Sequence, residues 1–332
     1  MNGIERRARL CALLALALCL TGCMREVAKT AQPEGLRWKD AADVKKPAVP
    51  EKLERDAEGV PTLKVYDTRA KKTVETDLER YVEGVVAGEM KNDWPMAALE
   101  AQAILARTFV LKFCQDKESK YKGADISTDV VEAQAYAADD VNARVRQAVQ
   151  GTRGEVMSAD GAYPYAWFHA HSGGMTELPS VALDYRDDDP AYLAPVRSEE
   201  SEDAPEEAKR WTARFTLDEV AQACRDAGLK VDRVERIELG EKGASGRART
   251  LLVNGQPVSA PSFRIQIGAN RLRSTLIDSV RLRGDGVVFS GRGFGHGVGL
   301  SQWGAYKMAQ DGADAEAIIA HYFRDVDIVK LW

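Results

Sequence analysis

The chain has 332 residues, 45% of them hydrophobic and 29% charged, with 46 Lys and Arg against 51 Asp and Glu. That composition suits a globular protein of one large domain or two. No long basic cluster appears, which argues against a nucleic-acid partner.

The first thirty residues stand apart from such a fold. Arg6, Arg7 and Arg9 precede an apolar run of 11 residues, Leu10 to Leu20. The run is short for a membrane span and right for a signal-peptide core. It leads into "LTGC", which resembles the lipobox of bacterial lipoproteins. That reading cleaves the chain before Cys23 and lipidates Cys23, anchoring the protein to a membrane outside the cytoplasm. The other reading is a plain secretory signal with an incidental cysteine. The expected organisation is a signal segment (1–22), a polar tether (23–60) and a folded domain (61–332) with room for two subdomains. Cys114 and Cys224 then remain in the folded part, with no CxxC partner for a cysteine zinc site.

"PTLKVYD" (61–67) reads as a strand. Thr76 and Glu79 have capping-box spacing and mark a helix start. Leu78, Val82, Val85 and Glu89 then share one helical face, so Glu89 continues an apolar stripe. The next helix begins near Pro95, with Leu99, Ala103, Ala106, Val110 and Phe113 as its core stripe and Gln102 and Arg107 beside it. Residues 119–140 are polar and irregular, and a helix closes at Gly151. "GEVMSADGAYPYAWFHAH" reads as a hairpin turning at Asp160-Gly161, with Tyr163, Tyr165, Trp167, His169 and His171 on one face. An acidic excursion (184–209) precedes a capped helix (216–228). Short strands run from Val231 to about Val288, and two helices close the chain. The order of elements argues an α+β fold: a helix pair carrying Glu89, packed against a mixed or antiparallel β-rich part, with a cleft between two subdomains.

Three stretches can carry chemistry. "GRGFGHGVGLSQWGA" (291–305) alternates glycine but fails the dinucleotide-loop spacing and lacks a phosphate-loop lysine. The alternation matches a strand with one bare face, either for close packing or as a site wall with His296 pointing in. Glu89 on an apolar stripe is costly unless paired or neutralised, and burial would raise its pKa toward that of a proton donor. The other reading lets it swing out to water at the helix end. "FHAHSGGMTE" places His169 and His171 two apart, a spacing that suits a metal or ordinary hydrogen bonding. Ser172 lacks a nucleophile elbow.

Three longer matches, "YVEGVVAGEMKNDWPMAALEAQAILARTFVL", "FHAHSGGMTE" and "GRGFGHGVGLSQWGAYKMAQDGADAEAIIAHYF", together resemble the stage II sporulation protein D family (SpoIID/LytB, the amidase-enhancer family) over roughly residues 60–332. The resemblance implies a cell-wall protein that acts as a lytic transglycosylase on glycan strands stripped of stem peptides, without a cofactor. It implies Glu89 as catalytic acid/base. It also implies a substrate-binding set of His169, Ser172, Gly173, Gly174, Thr176, His296, Gln302 and Trp303, to which Arg107 is added. Its implied partners are peptidoglycan glycan strands and a cell-wall amidase; a non-catalytic, peptidoglycan-binding enhancer of that amidase is the alternative function. Some relatives bind zinc beside the His-Ser-Gly-Gly segment through nearby cysteines, which this chain lacks, so no metal is assigned. The family's Met-Pro after the catalytic acid is Met90-Lys91 here.

Overall fold

The computed structural model describes residues 44–332. The expected signal segment, Cys23 and the tether up to residue 43 lie outside the described residues. The rest of the expected tether is packed onto the domain. Val49, Leu53 and Val60 are buried, Lys46 Nζ donates to the Lys330 carbonyl, and the Lys45 carbonyl accepts from Ser158 Oγ. Three apolar side chains are enough to hold this stretch down, although it has no clear period.

Strand β1 (Thr62–Asp67) pairs antiparallel with β2 (Lys72–Asp77). Helix α1 (Leu78–Glu89) follows at once. Its N-cap is Asp77, whose carboxylate accepts from Arg80 N, and not Thr76. Glu79 is thereby released from capping and pairs with Arg107 instead. Helix α2 (Met96–Asp116) is buried along most of its length. The expected stripe from Leu99 to Phe113 faces one core with α1, while Ala98, Ala101, Ile104 and Leu105 face another. A helix buried on both sides has no solvent face to give it strong amphipathicity.

Strand β3 (Ile126–Ser127) adds parallel to β1, and helix α3 (Ala143–Gly151) is capped by Asn142. Strand β4 (Glu155–Ser158) runs into the expected turn, with Asp160 and Gly161 both at positive φ. The expected hairpin does not continue beyond a single bridge, Ala159 to Ala162. Pro164 follows closely and supplies no ladder donor. β5 is only Phe168–His169. Short helices α4 (Pro179–Ala182) and α5 (Glu206–Lys209) bracket the acidic excursion.

Strand β6 (Arg210–Thr216) leads into α6 (Leu217–Asp226), where Thr216 and Glu219 form the expected capping box. Strands β7 (Ile237–Leu239), β8 (Thr250–Val253) and β9 (Gln256–Ser259) form one antiparallel sheet. Helix α7 (Ala260–Gly268), unforeseen in the run of strands, is capped by Ser259 with Pro261 in its first turn. Strands β10 (Ile277–Arg283) and β11 (Gly286–Arg292) join β6 in the order β10-β11-β6. Their core, with α6 and α7, is a third buried cluster. Strand β12 (Leu300–Ser301) pairs parallel with β5, and helices α8 (Gln302–Gln310) and α9 (Ala315–Tyr322) follow as expected. The chain then adds β13 (Asp327–Lys330), the antiparallel partner of β4. The architecture is α+β. Among the described residues no helix is long and apolar enough to cross a membrane.

Candidate active site around Glu89

Glu89 is the last residue of α1; the chain turns extended at Met90. Its carboxylate Oε1 accepts from the Ala135 backbone N–H at 2.7 Å. Gln302, at the start of α8, donates from Nε2 to the Glu89 backbone carbonyl at 3.1 Å and approaches Gln102 Oε1 at 3.5 Å. Burial raises the Glu89 pKa; the Ala135 N–H bond to the carboxylate and the neighbouring Gln302 amide favour the charged form and limit the rise. A half-buried carboxyl held this way keeps its proton to higher pH than an exposed one and has a backbone donor ready when the proton leaves.

Gly88 explains how Ala135 reaches the carboxylate. A Cβ there would lie 2.7 Å from Tyr136 N and 2.8 Å from the Ala135 carbonyl carbon, so only glycine lets the 134–136 loop lie against α1. Gly88→Ala should push the loop away and remove a bond that favours the charged form. The Glu89 pKa should then rise further, read from the carboxyl ¹³C shift during a pH titration. An unchanged titration would show that Ala135 does not tune Glu89.

Gln302 follows Ser301, and Ser301 connects Glu89 to a second carboxylate. Ser301 Oγ donates to Glu200 at 2.9 Å, Ser198 Oγ donates to it at 3.0 Å, and both Ser172 N and Ser172 Oγ donate as well. Three hydroxyls and an N–H thus hold Glu200, which had looked like one more charge in the acidic excursion. No local spacing marks it, because apart from nearby Ser198 its partners come from two distant segments, at Ser172 and Ser301. Glu200→Ala should cost about 1–3 kcal/mol, since it strips the acceptor from several enclosed donors; urea unfolding measures this. A cavity of about 280 Å³ opens beside it, lined by His171, Gly173, Gly174, Glu200, Lys209 and Arg292 among others.

His169 and His296 form a neighbouring layer, with ring centroids 5.6 Å apart. His169 Nδ1 is 3.1 Å from the Val298 carbonyl, and Val298 N donates to His296 Nδ1 at 3.0 Å. Burial, with Arg264 and Arg247 nearby, pushes His296 down to about 3; burial, His296 and Arg247 push His169 well below the usual histidine range. Both rings are therefore neutral near pH 7, each with its Nδ1 engaged by the backbone of Val298. Among the described residues no group of three or more His, Cys, Asp or Glu side chains is arranged to hold a metal ion.

The alternating glycines do not form a bare strand face. Strand β11 ends at Arg292, and Gly293, Gly295, Gly297 and Gly299 all have φ between 69° and 105°. The run is a compact irregular segment laid against "FHAHSGG", with Phe294 and His171 exchanging backbone bonds. At Gly297 a Cβ would sit 2.2 Å from the Arg247 guanidinium carbon. Arg247 is fully buried, pushed by burial down to about 10, and donates to the carbonyls of Ser172 and Met175. Gly297 thus leaves room for an arginine that clamps the His-Ser-Gly-Gly segment, while Gly293 and Gly299 lie against the backbone of residues 171–173 and 167, and Gly295 against His169.

A family model described as "Stage II sporulation protein" matches residues 66–158, and one described as a domain of unknown function matches residues 187–299. Stage II sporulation protein D of Bacillus amyloliquefaciens is 30% identical over 295 residues, covering 82% of this chain and 83% of that protein. The chain belongs to the stage II sporulation protein D family. Stage II sporulation protein D of Bacillus subtilis (strain 168) is 27% identical, covering 80% of this chain and 78% of that protein. The amidase enhancer of the same strain is 23% identical over 73% of this chain and 39% of its own length.

Of the other expected site residues of this family member, Arg107 and Thr176 are enclosed in the fold, and Trp303, next to Gln302, shares a core cluster with Ala87 and Met90 at the end of α1. Arg107 is fully buried; its guanidinium pairs with Glu79 at 2.6 Å and donates to the Glu155 carbonyl at 2.8 Å. It is a packing residue of α2, because every direction open to it is filled by backbone or Glu79. Thr176 is also buried and ties down the 194–196 segment through Val196. Trp303 is enclosed by Trp94 at 4.5 Å and Tyr306 at 5.2 Å between ring centroids. Lys91 places Nζ 5.6 Å from the Trp303 ring centroid. Cys114 and Cys224 are both buried free thiols.

Proposed function

We propose that this protein is a peptidoglycan lytic transglycosylase working outside the cytoplasmic membrane, held there through a lipid on Cys23. The observation that carries the reading is Glu89: a half-buried carboxyl of raised pKa at a helix end, with a backbone donor and Gln302 beside it.

Hydrolytic glycosidases use two carboxylates, one as acid and one as nucleophile or base. Glu200 is a poor second one, since its oxygens are taken up by serine hydroxyls. A single carboxyl suffices when the nucleophile is the substrate's own C6 hydroxyl. Protonated Glu89 gives its proton to the glycosidic oxygen between N-acetylmuramic acid and N-acetylglucosamine. The C1–O bond breaks and positive charge develops on the muramic ring. The C6 oxygen then bonds to C1, and the Glu89 carboxylate, steadied by the Ala135 N–H, takes the C6 hydroxyl proton. The product ends in a 1,6-anhydro ring, and Glu89 is again protonated. No water is consumed, and the tethered nucleophile lowers the entropic cost.

The test incubates the purified protein with peptide-stripped glycan strands and with intact peptidoglycan, beside Glu89→Ala, and looks for anhydro-muramic ends by mass spectrometry. Such ends from the wild type alone support the reading; identical products from both, or none from either, sink it. The second reading is a non-catalytic glycan-binding enhancer of a cell-wall amidase, favoured by the similarity to the amidase enhancer of Bacillus subtilis. It requires amidase stimulation that Glu89→Ala retains.

A further inference from the structure

The outer face of the β10-β11-β6 sheet is rich in arginine. Val280 pairs with Phe289, Leu282 with Val287, and Val287 with Phe215, which sets the core side of the sheet. Alternation puts Arg281 and Arg283 of β10, Arg292 of β11, and Arg210 and Arg214 of β6 on the other side. Arg292 lies directly opposite Arg210, and Arg281 is in line with Val288 and Arg214. A row of hydroxyls, Ser279, Ser290 and Thr212, runs between these two arginine rows.

Arg214 pairs with Asp285 and Arg292 with Asp278. Arg210, Arg281 and Arg283 are exposed and form no ion pair among the described residues. Like charges facing each other across strands are unfavourable in themselves. The concentration is local. Residues 210–292 carry fifteen Lys and Arg against nine Asp and Glu, whereas residues 44–209 carry twenty-one against thirty-two. The face is also continuous with the candidate site, because Arg292 lines the cavity of His171, Gly173, Gly174 and Glu200. Glu200 is joined through Ser301 and Gln302 to Glu89.

We infer that this sheet face binds the glycan strand beyond the reacting bond. The arginines take the carboxylates that removal of stem peptides leaves on the muramic units, and the hydroxyl row takes sugar hydroxyls. The inference rests on the glycan strand being the substrate. Successive rows lie about 7 Å apart along the strands, an arrangement of charge and hydroxyl that suits a polymer repeating both groups. A membrane surface fits less well, since Val288 is the one apolar side chain among these rows and no apolar stripe is available to insert.

The test compares the full chain with the triple variant Arg210→Gln, Arg281→Gln, Arg283→Gln. Binding is measured to peptide-stripped strands, to the same strands with their carboxyls amidated, and to phosphatidylglycerol vesicles, and anhydro ends are scored in a separate incubation. The variant should bind stripped strands roughly tenfold more weakly, as expected for losing three exposed ion pairs. Amidation should weaken the wild type by a similar factor, vesicle binding should not change between the two proteins, and the triple Lys variant should restore strand binding. Equal strand binding by wild type and triple Gln variant would overturn the inference and leave the arginines as guards of a sheet edge. A loss confined to vesicles would overturn it in favour of a lipid surface. Arginine-dependent binding without anhydro ends would keep the surface and remove the transglycosylase reading; cleavage with arginine-independent binding would do the reverse.

Discussion

Glu89→Gln should lower the rate of anhydro-end formation on stripped glycan by about 10²–10⁴-fold, the usual worth of a positioned general acid. The amide keeps the carboxyl's shape and still accepts from Ala135 N–H, so the loss is one of proton transfer and not of architecture. The wild-type rate should fall as pH rises through the elevated Glu89 pKa, because the first step needs the protonated form. Stability has a definite sign as well. The folded state holds the Glu89 proton to higher pH than the unfolded chain, so between the ordinary carboxylate pKa and the raised one stability declines as pH rises. Glu89→Gln removes that decline. The variant should therefore be as stable as the wild type, or more so, near neutral pH while being inactive. Urea unfolding at acid and neutral pH, set beside the product assay, separates these effects; a variant that is inactive and also unstable at pH 7 would reduce Glu89 to a structural residue.

Arg107→Met should destabilise the fold by about 3–5 kcal/mol, the usual cost of breaking a buried pair from one side. The change leaves Glu79 enclosed, with only the Gly154 N–H and the Trp332 indole N–H still donating to it. That damage reaches α1, the 154–155 turn and the chain end together, because Glu79 joins all three. Adding Glu79→Gln should recover part of the loss, since it removes the uncompensated charge. Denaturant unfolding of the single and double variants measures both. A stable Arg107→Met protein that had lost only glycan affinity would return Arg107 to the substrate-binding set from which its burial removes it.

Several readings needed only local pattern. The 3.6-residue period placed Glu89 on the apolar stripe of α1, and the helix does end there. Thr216 and Glu219 announced α6, and the closing helices α8 and α9 were legible from their periodicity. The stretch around Asp77 shows the limit of such signals: Thr76 and Glu79 have the right spacing, but Asp77 is the better-placed cap and Glu79 is drawn to an arginine 28 residues away. The Asp160-Gly161 turn was also real, yet the strand before it found its partner at the end of the chain.

The sequence by itself thus determined the family, most of the helices and the place of Glu89 on an apolar helical face, because period, capping and turn chemistry act over a few residues. Only the tertiary structure decided what surrounds that carboxyl. Ala135 reaches it from 46 residues away, Gln302 reaches the Glu89 backbone carbonyl from 213, and Glu200 is gathered by serines up to 101 residues distant. A side chain's partners across such separations are chosen by how buried surfaces fit and which polar groups must be satisfied once water is gone. The alternating glycines show the same division: their spacing was visible at once, but the close approach they allow, with Gly297 against the arginine that clamps the His-Ser-Gly-Gly segment, exists only when the two segments meet.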